Sequence, residues 1–344
     1  MAKKDIREND IFQVYESKGN IRIGWIFPVI ALDSIEHDYS DDEYFRKHAY
    51  IGVNNALLYK PDKSSFINEL SKTQFSYKFS DIFHESVVLL VISKTSLNEN
   101  TQFDIDRASA SLVSYGYILL NNNNPEDIKF VASAPENRKL RINLISPDIS
   151  EYKVISDLLN IHFAFEAKPV FKFFFLYQVI ELLIELVFLA EQDELMSSVT
   201  ETFGNPSKTK LELRKMNEFL SEGNRIKLLI SKYSRIEAKL NELKIICKDL
   251  LDNLNVADEK QETFNKYFYQ IRNYIVHQFR NFPPEANNKL EEVVNEFVYV
   301  LPSLLNEYHE HDKRVASPIV VQKFSIKRWL VEKLIISLKK ISKN

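Results

Sequence analysis

Glycine is scarce in this chain, six among 344 residues, and the scarcity weighs against whole classes of chemistry. A backbone that wraps a phosphate needs glycines where a side chain would clash or where φ must be positive. Neither G-x-x-x-x-G-K-[ST] nor G-x-G-x-x-G occurs, which argues against a P-loop NTPase and a Rossmann dinucleotide enzyme. Cysteine is scarcer still. Cys247 stands alone, which rules out a disulfide within the chain and a multi-cysteine zinc site. It lies in the helical run 243–247 and reads as a core thiol. Residues 1–8 contain no apolar run, so no secretory signal peptide is expected and the chain reads as cytoplasmic. One stretch mimics a membrane span: 170–190, interrupted by Lys172, Gln178, Glu181 and Glu185. Two carboxylates near its middle would each cost roughly 2.5–3.5 kcal/mol in a bilayer. A helix buried in protein, with no stable membrane association, is the expectation.

What remains is ordinary in bulk. Hydrophobic residues make up 45% and charged residues 27%, the balance of a globular protein long enough for two cores. The net charge of −3 hides an asymmetry. From residue 312 onward nine cations (Lys313, Arg314, Lys323, Lys327, Arg328, Lys333, Lys339, Lys340, Lys343) face only Asp312 and Glu332. This tail contains an amphipathic helical pattern over 324–341. Its apolar side reads as packed on the rest of the protein, with phosphate attraction as the functional alternative and an anionic membrane surface as a third.

The hydrophobic period changes along the chain. Residues 1–165 read as a β-rich domain, with strand-like runs at 21–32, 50–59, 86–92, 111–120, 128–131 and 140–145. Turn-forming clusters separate several of them, and a short helix is expected at 64–70. From 166 onward the period is helical. Pro169 opens a helix to about 194, a break falls at 204–207, and a charged helical stretch runs from 210 to 253 with an interruption near 223–224. A helix over 258–280 and another over 285–308, kinked at Pro302, complete an all-α bundle over 166–312. The basic segment 313–344 follows. The fold class expected is therefore α+β, a β-rich sensor or regulatory domain followed by a helical bundle.

The polar residues of greatest interest lie in Gln270-Ile271-Arg272-Asn273-Tyr274-Ile275-Val276-His277-Gln278-Phe279. A run this apolar is expected to be buried, and buried charge is costly unless paired or used. Asn273 and His277 are i,i+4 neighbours on one helix face, and Gln270 shares it. Arg272 points about 140° away from His277, so a composite site needs a second surface. Another copy across a two-fold axis supplies one most cheaply. The set suits cleavage of RNA without a metal or cofactor: histidine as base for the 2′-hydroxyl, arginine as a forked cation for phosphate, asparagine to orient.

Arg272-Asn273-Tyr274-Ile275-Val276-His277 resembles the R-x4-6-H motif of HEPN (higher eukaryotes and prokaryotes nucleotide-binding) domains, and the resemblance covers roughly 166–308. It implies a helical bundle that homodimerises so that two motifs line one cleft. It also implies a metal-independent endoribonuclease of prokaryotic defence (abortive infection) or of toxin type. Arg272 and His277 would be the catalytic pair, with Asn273 accessory. Such a protein takes RNA as substrate, and a phage-derived or protein trigger would act at the N-terminal domain. The alternative within the same resemblance is an inactive bundle that dimerises and binds nucleotide or RNA. Phe279 stands where related toxins carry a modifiable tyrosine, so that modification is excluded here.

Other polar residues are less pointed. Gln178, Glu181 and Glu185 share one stripe of the first long helix. The stripe is either a solvated ridge or a cleft lining in which Glu181 holds Arg272 or His277. His37 lies among acids in what reads as a solvated loop, and His309-Glu310-His311 reads as a solvated helix end. Asp104-Ile105-Asp106 fits strand alternation, with no lysine pattern to complete a metal-dependent nuclease.

Overall fold

The computed structural model describes residues 1–17, 19–58, 76, 78–97, 103–121, 123–132, 135–256 and 263–309. The helix expected at 64–70 and the basic tail 313–344 lie outside them, as does His311. The fold is mixed α+β, about 62% helical with one small sheet of four strands.

That sheet contains β1 (Phe12–Glu16), β2 (Arg22–Pro28), β3 (Val88–Ile92) and β4 (Lys139–Ile142), ordered β3-β2-β1-β4. The β1–β2 and β2–β3 pairs are antiparallel, and β4 joins β1 in parallel. Phe12 and Val14 face one layer, beneath α2 (Ile105–Ser114). Trp25 and Phe27 face the other, beneath α1 (Glu43–Leu58), where Phe45 meets both rings edge-on. Tight backbone contact is required at Gly24, where an added Cβ would lie 2.1 Å from the Val91 carbonyl oxygen.

The N-terminal half is thus less β-rich than expected, and three of the predicted strands are not strands. Residues 50–58 belong to α1. Phe45, Ala49 and Val53 are buried at four-residue spacing, and the Asp42 Oδ1 accepts the Phe45 N–H at 2.8 Å. That period outweighs the β-leaning Tyr50 and Ile51. The stretch 111–114 ends α2, whose N-cap is Asp104: its carboxylate accepts from the N–H groups of Asp106 and Arg107. Asp104-Ile105-Asp106 therefore opens a helix and is not alternating strand. Ile128 and Phe130 are buried without strand pairing. His37 is buried, not solvated; its Nδ1 accepts the Tyr39 N–H at 3.2 Å and its ring meets Phe45.

The helical half begins with α3 (Val154–Asp157) and a wider-wound turn, Leu158–Phe163. Then comes α4 (Pro169–Glu201), with proline at its first turn and Gly204 in a positive-φ conformation just beyond its end. It is long and apolar enough to cross a membrane by length and composition. In this fold Val179, Leu183 and Val187 are buried in the bundle core. The chain continues through α5 (Pro206–Leu220), α6 (Glu222–Leu228), α7 (Asn241–Asn253), α8 (Phe264–Gln278) and α9 (Asn287–Asn306). The break expected near 223 falls at Ser221, whose hydroxyl caps α6. A second, unexpected break follows at 229–240, where Arg235 takes φ 50°. Helix α9 continues through Pro302.

Residue 165 marks no gap in packing. Helix α2 lies on α9, the Ser146 N–H donates to the Leu305 carbonyl at 3.0 Å, and one core joins Ala110, Val113 and Phe130 to the bundle. Met1–His309 is a single compact unit. Cys247 is fully buried in that core, and burial pushes its thiol pKa well up.

Candidate active site

Helix α8 is amphipathic. Phe264, Tyr267, Phe268, Ile271 and Ile275 are buried, following the three- and four-residue steps of one helix face. The opposite end of the register leaves Val276, His277 and Gln278 exposed. Arg272 and Asn273 fall on the boundary between the two. The expectation that the entire 271–279 run is buried is therefore corrected: the apolar stripe is narrower, Val276 is 43% exposed, and the cost of burying charge falls on Arg272 alone.

That cost is offset by two other helices. From α4, the Glu181 Oε1 accepts from Arg272 Nη2 at 3.2 Å. From the first turn of α6, the Glu222 Oε1 lies 3.8 Å from Arg272 Nε. Arg272 Nη1 donates to the neighbouring Asn273 Oδ1 at 3.1 Å, and the guanidinium carbon lies 5.6 Å from the centroid of the Tyr177 ring. The carboxylates are tied in turn: the Tyr177 hydroxyl donates to Glu222 Oε1 and Gln178 Nε2 to Glu181 Oε2, each at 2.5 Å. All three charges are largely shielded, the side chains of Arg272, Glu181 and Glu222 being 23%, 14% and 17% exposed. Burial alone would lower the Arg272 pKa. Glu222, Tyr177 and Glu181 outweigh it, so the guanidinium is held more firmly charged than usual. Burial, the Glu222 charge and the hydrogen bond to it push the Tyr177 phenol far up.

The structure thus brings together Arg272, Asn273, Glu181 and Gln178, and places His277 apart. His277 is exposed and, among the described residues, makes no hydrogen bond or ion pair. Of the two partners considered for Glu181, it takes Arg272. Of the polar stripe, Gln178 is buried, Glu181 half-buried and Glu185 57% exposed, with Arg225 3.8 Å away. Gln270 is used structurally, donating to the Val256 carbonyl. Two members of the cluster, Glu222 and Tyr177, were not anticipated from the sequence. Tyr177 is one position from Gln178 and one turn before Glu181, which was a usable signal. Glu222 lies fifty residues from Arg272 and carries none beyond its place after a helix-capping serine.

Chemically, the cluster is a guanidinium fixed in orientation at the rim of the bundle, with an amide beside it. Asn273 uses its oxygen on Arg272, which leaves its NH2 group as a donor. A titratable imidazole sits one turn further along the same helix. Among the described residues no group of three or more His, Cys, Asp or Glu side chains is placed to hold a metal ion. No family model, curated protein or solved structure matches this chain.

Proposed function

We propose that the protein is a metal-independent endoribonuclease whose site is completed when two copies pair their α8 faces in an HEPN-like bundle dimer. The observation that carries this is the split of the motif: Arg272 is locked by Glu181 and Glu222, while His277 is exposed with no described partner. A single copy leaves the base without a cation. Two copies related by a two-fold axis bring each His277 towards the other copy's Arg272 and Asn273.

In that groove His277 takes the proton of an RNA 2′-hydroxyl, and the freed oxygen attacks the adjacent phosphorus. Arg272 offers its remaining N–H donors to the phosphorane oxygens, held in place by the two carboxylates. The Asn273 amide positions the phosphate. The bond to the 5′-oxygen breaks as a 2′,3′-cyclic phosphate forms, and a protonated His277 from the second copy returns a proton to the leaving oxygen. The resemblance to HEPN domains implies anti-phage defence or a toxin's role, and the protein is expected to act in the cytoplasm. The N-terminal sheet and its helices would then carry the response to a phage-derived or protein trigger.

One observation favours a second reading. Arg272 already faces two carboxylates and an amide oxygen, so its charge is matched within one copy of the chain. A bundle that dimerises and binds nucleotide or RNA without cutting it fits that arrangement. Incubation of mixed RNA with the wild type and with His277→Ala, both in chelator, decides between them. Cleavage lost in the variant supports the nuclease; equal outcomes for the two proteins end that assignment.

A further inference from the structure

The sheet carries a second cluster of interest, built by β1, β2 and β4, which contribute nothing to the Arg272 cluster. The β1–β2 ladder has a bulge: Val14 stands opposite Gly24 and Tyr15 opposite Arg22, so Ile23 is skipped. An extra residue in one strand re-aims the side chains on either side of it. Arg22 and Trp25, an odd number of positions apart, therefore share a face. Tyr15 stands opposite Arg22 on one side and Arg141 on the other, and Gln13 stands opposite Trp25 and Lys139. Directly opposed residues point the same way, so Arg22, Tyr15, Arg141 and Lys139 form one patch.

Helix α1 packs over the β2 and β3 part of this face. Towards β4, Lys139 and Arg141 are exposed and Tyr15 is partly so. Cations and rings alternate there. Lys139 Nζ lies 5.7 Å and Arg141 Cζ 5.9 Å from the Tyr15 centroid. Arg22 Cζ lies 4.7 Å from the Trp25 ring and 4.5 Å from that of Tyr44, itself 45% exposed. Among the described residues these three cations form no ion pair with a carboxylate. Arg141 bonds only oxygens without charge, the Gly19 carbonyl at 2.7 Å, the Glu16 carbonyl at 3.4 Å and Asn20 Oδ1 at 3.3 Å. Of the acids nearest in the chain to Tyr44, Asp42 caps α1 while Asp41 and Glu43 are exposed; Asp38, further back, pairs with Arg138 at 2.7 Å.

We propose that this sheet face binds a single-stranded nucleic acid, with bases stacking on Tyr15 and Tyr44 and the backbone phosphates meeting Lys139, Arg141 and Arg22. The chemistry discriminates between polyanions. A duplex hides its bases and an acidic peptide has none, so neither uses the rings; a single strand uses both rings and cations. The proposal is independent of cleavage at α8.

The test is fluorescence anisotropy of the full chain with a short labelled 2′-O-methyl RNA, which 2′-hydroxyl attack cannot cut, and DNA of the same sequence. Tyr15→Ala is expected to weaken binding about five-fold or more and Tyr15→Phe to retain it. Lys139→Ala, which removes no hydrogen bond described here, should flatten the slope of log affinity against log salt by about 0.7. Thermal melting of each variant confirms that it is folded. Failure of the wild type to bind at low salt overturns the proposal. So does binding that neither variant changes, or displacement of the single strand equally well by duplex or by polyglutamate.

Discussion

Replacing Arg272 by alanine removes the charge between two carboxylates that are 14% and 17% exposed. Deleting one member of a fully buried ion pair costs about 3–5 kcal/mol, because the charge left behind has lost its compensation. Partial solvent access at all three groups reduces that here to about 2–3 kcal/mol. For a unit of this size the midpoint of thermal unfolding should fall by roughly 3–5 °C. His277→Ala, on the exposed rim without described partners, should stay within about 0.5 kcal/mol of wild type. Urea unfolding of both proteins, with calorimetric melting, measures the split. Arg272→Met combined with Glu181→Gln and Glu222→Gln should recover most of the loss, since it removes the orphaned charges and keeps the apolar stem. Wild-type stability in Arg272→Ala would refute the reasoning that this arginine holds α4, α6 and α8 together. The split also governs how activity data are read: loss of cleavage in Arg272→Ala mixes chemistry with unfolding, whereas loss in His277→Ala does not.

Two further outcomes follow from the N-terminal half. Asp104→Ala deletes the cap of α2 and should cost about 1 kcal/mol; chemical unfolding would show it, and no change would contradict the helical assignment of 105–114. Burial lowers the His37 pKa, outweighing Asp38, Glu8 and a hydrogen bond with Ala31. The unfolded chain therefore takes up the proton first. The stabilising preference for neutral imidazole is present above about pH 6.5 and is lost as pH falls through that value towards the folded pKa. Stability compared between pH 7.5 and 5.5 should fall less in His37→Gln than in wild type, and equal falls would refute the assignment.

The helical half was readable because its punctuation is strong. Pro169 and the 204–207 break bracket α4, and the buried positions of α8 and α9 repeat at three- and four-residue steps. The N-terminal half was misread where composition and period disagree. In α1 the aromatic and β-branched residues suggested a strand, yet Phe45, Ala49 and Val53 already marked one helical face. Strand β1 escaped notice because only Phe12 and Val14 point into the core. In the candidate site, the i,i+4 relation of Asn273 and His277 was legible from spacing, whereas the pairing of Glu181 with Arg272 was one of several alternatives that the polar stripe left open. Glu222 was not legible, since its closeness to Arg272 depends on how α6 folds back against α4 and α8. That the histidine stands outside the buried stripe was also hidden, because Val276 lends the run an apolar look that its exposure contradicts.

The central claim is that two α8 faces meet and bring their histidines into one groove. Spin labels placed at Gln278 in the full-length protein, with His277 left intact, measure it through the dipolar coupling between copies. The account predicts a single short inter-copy distance, retained on dilution into the concentration range where RNA is cut. A protein that stays monomeric there, or a dimer whose labels lie too far apart to share a phosphate between them, would contradict it.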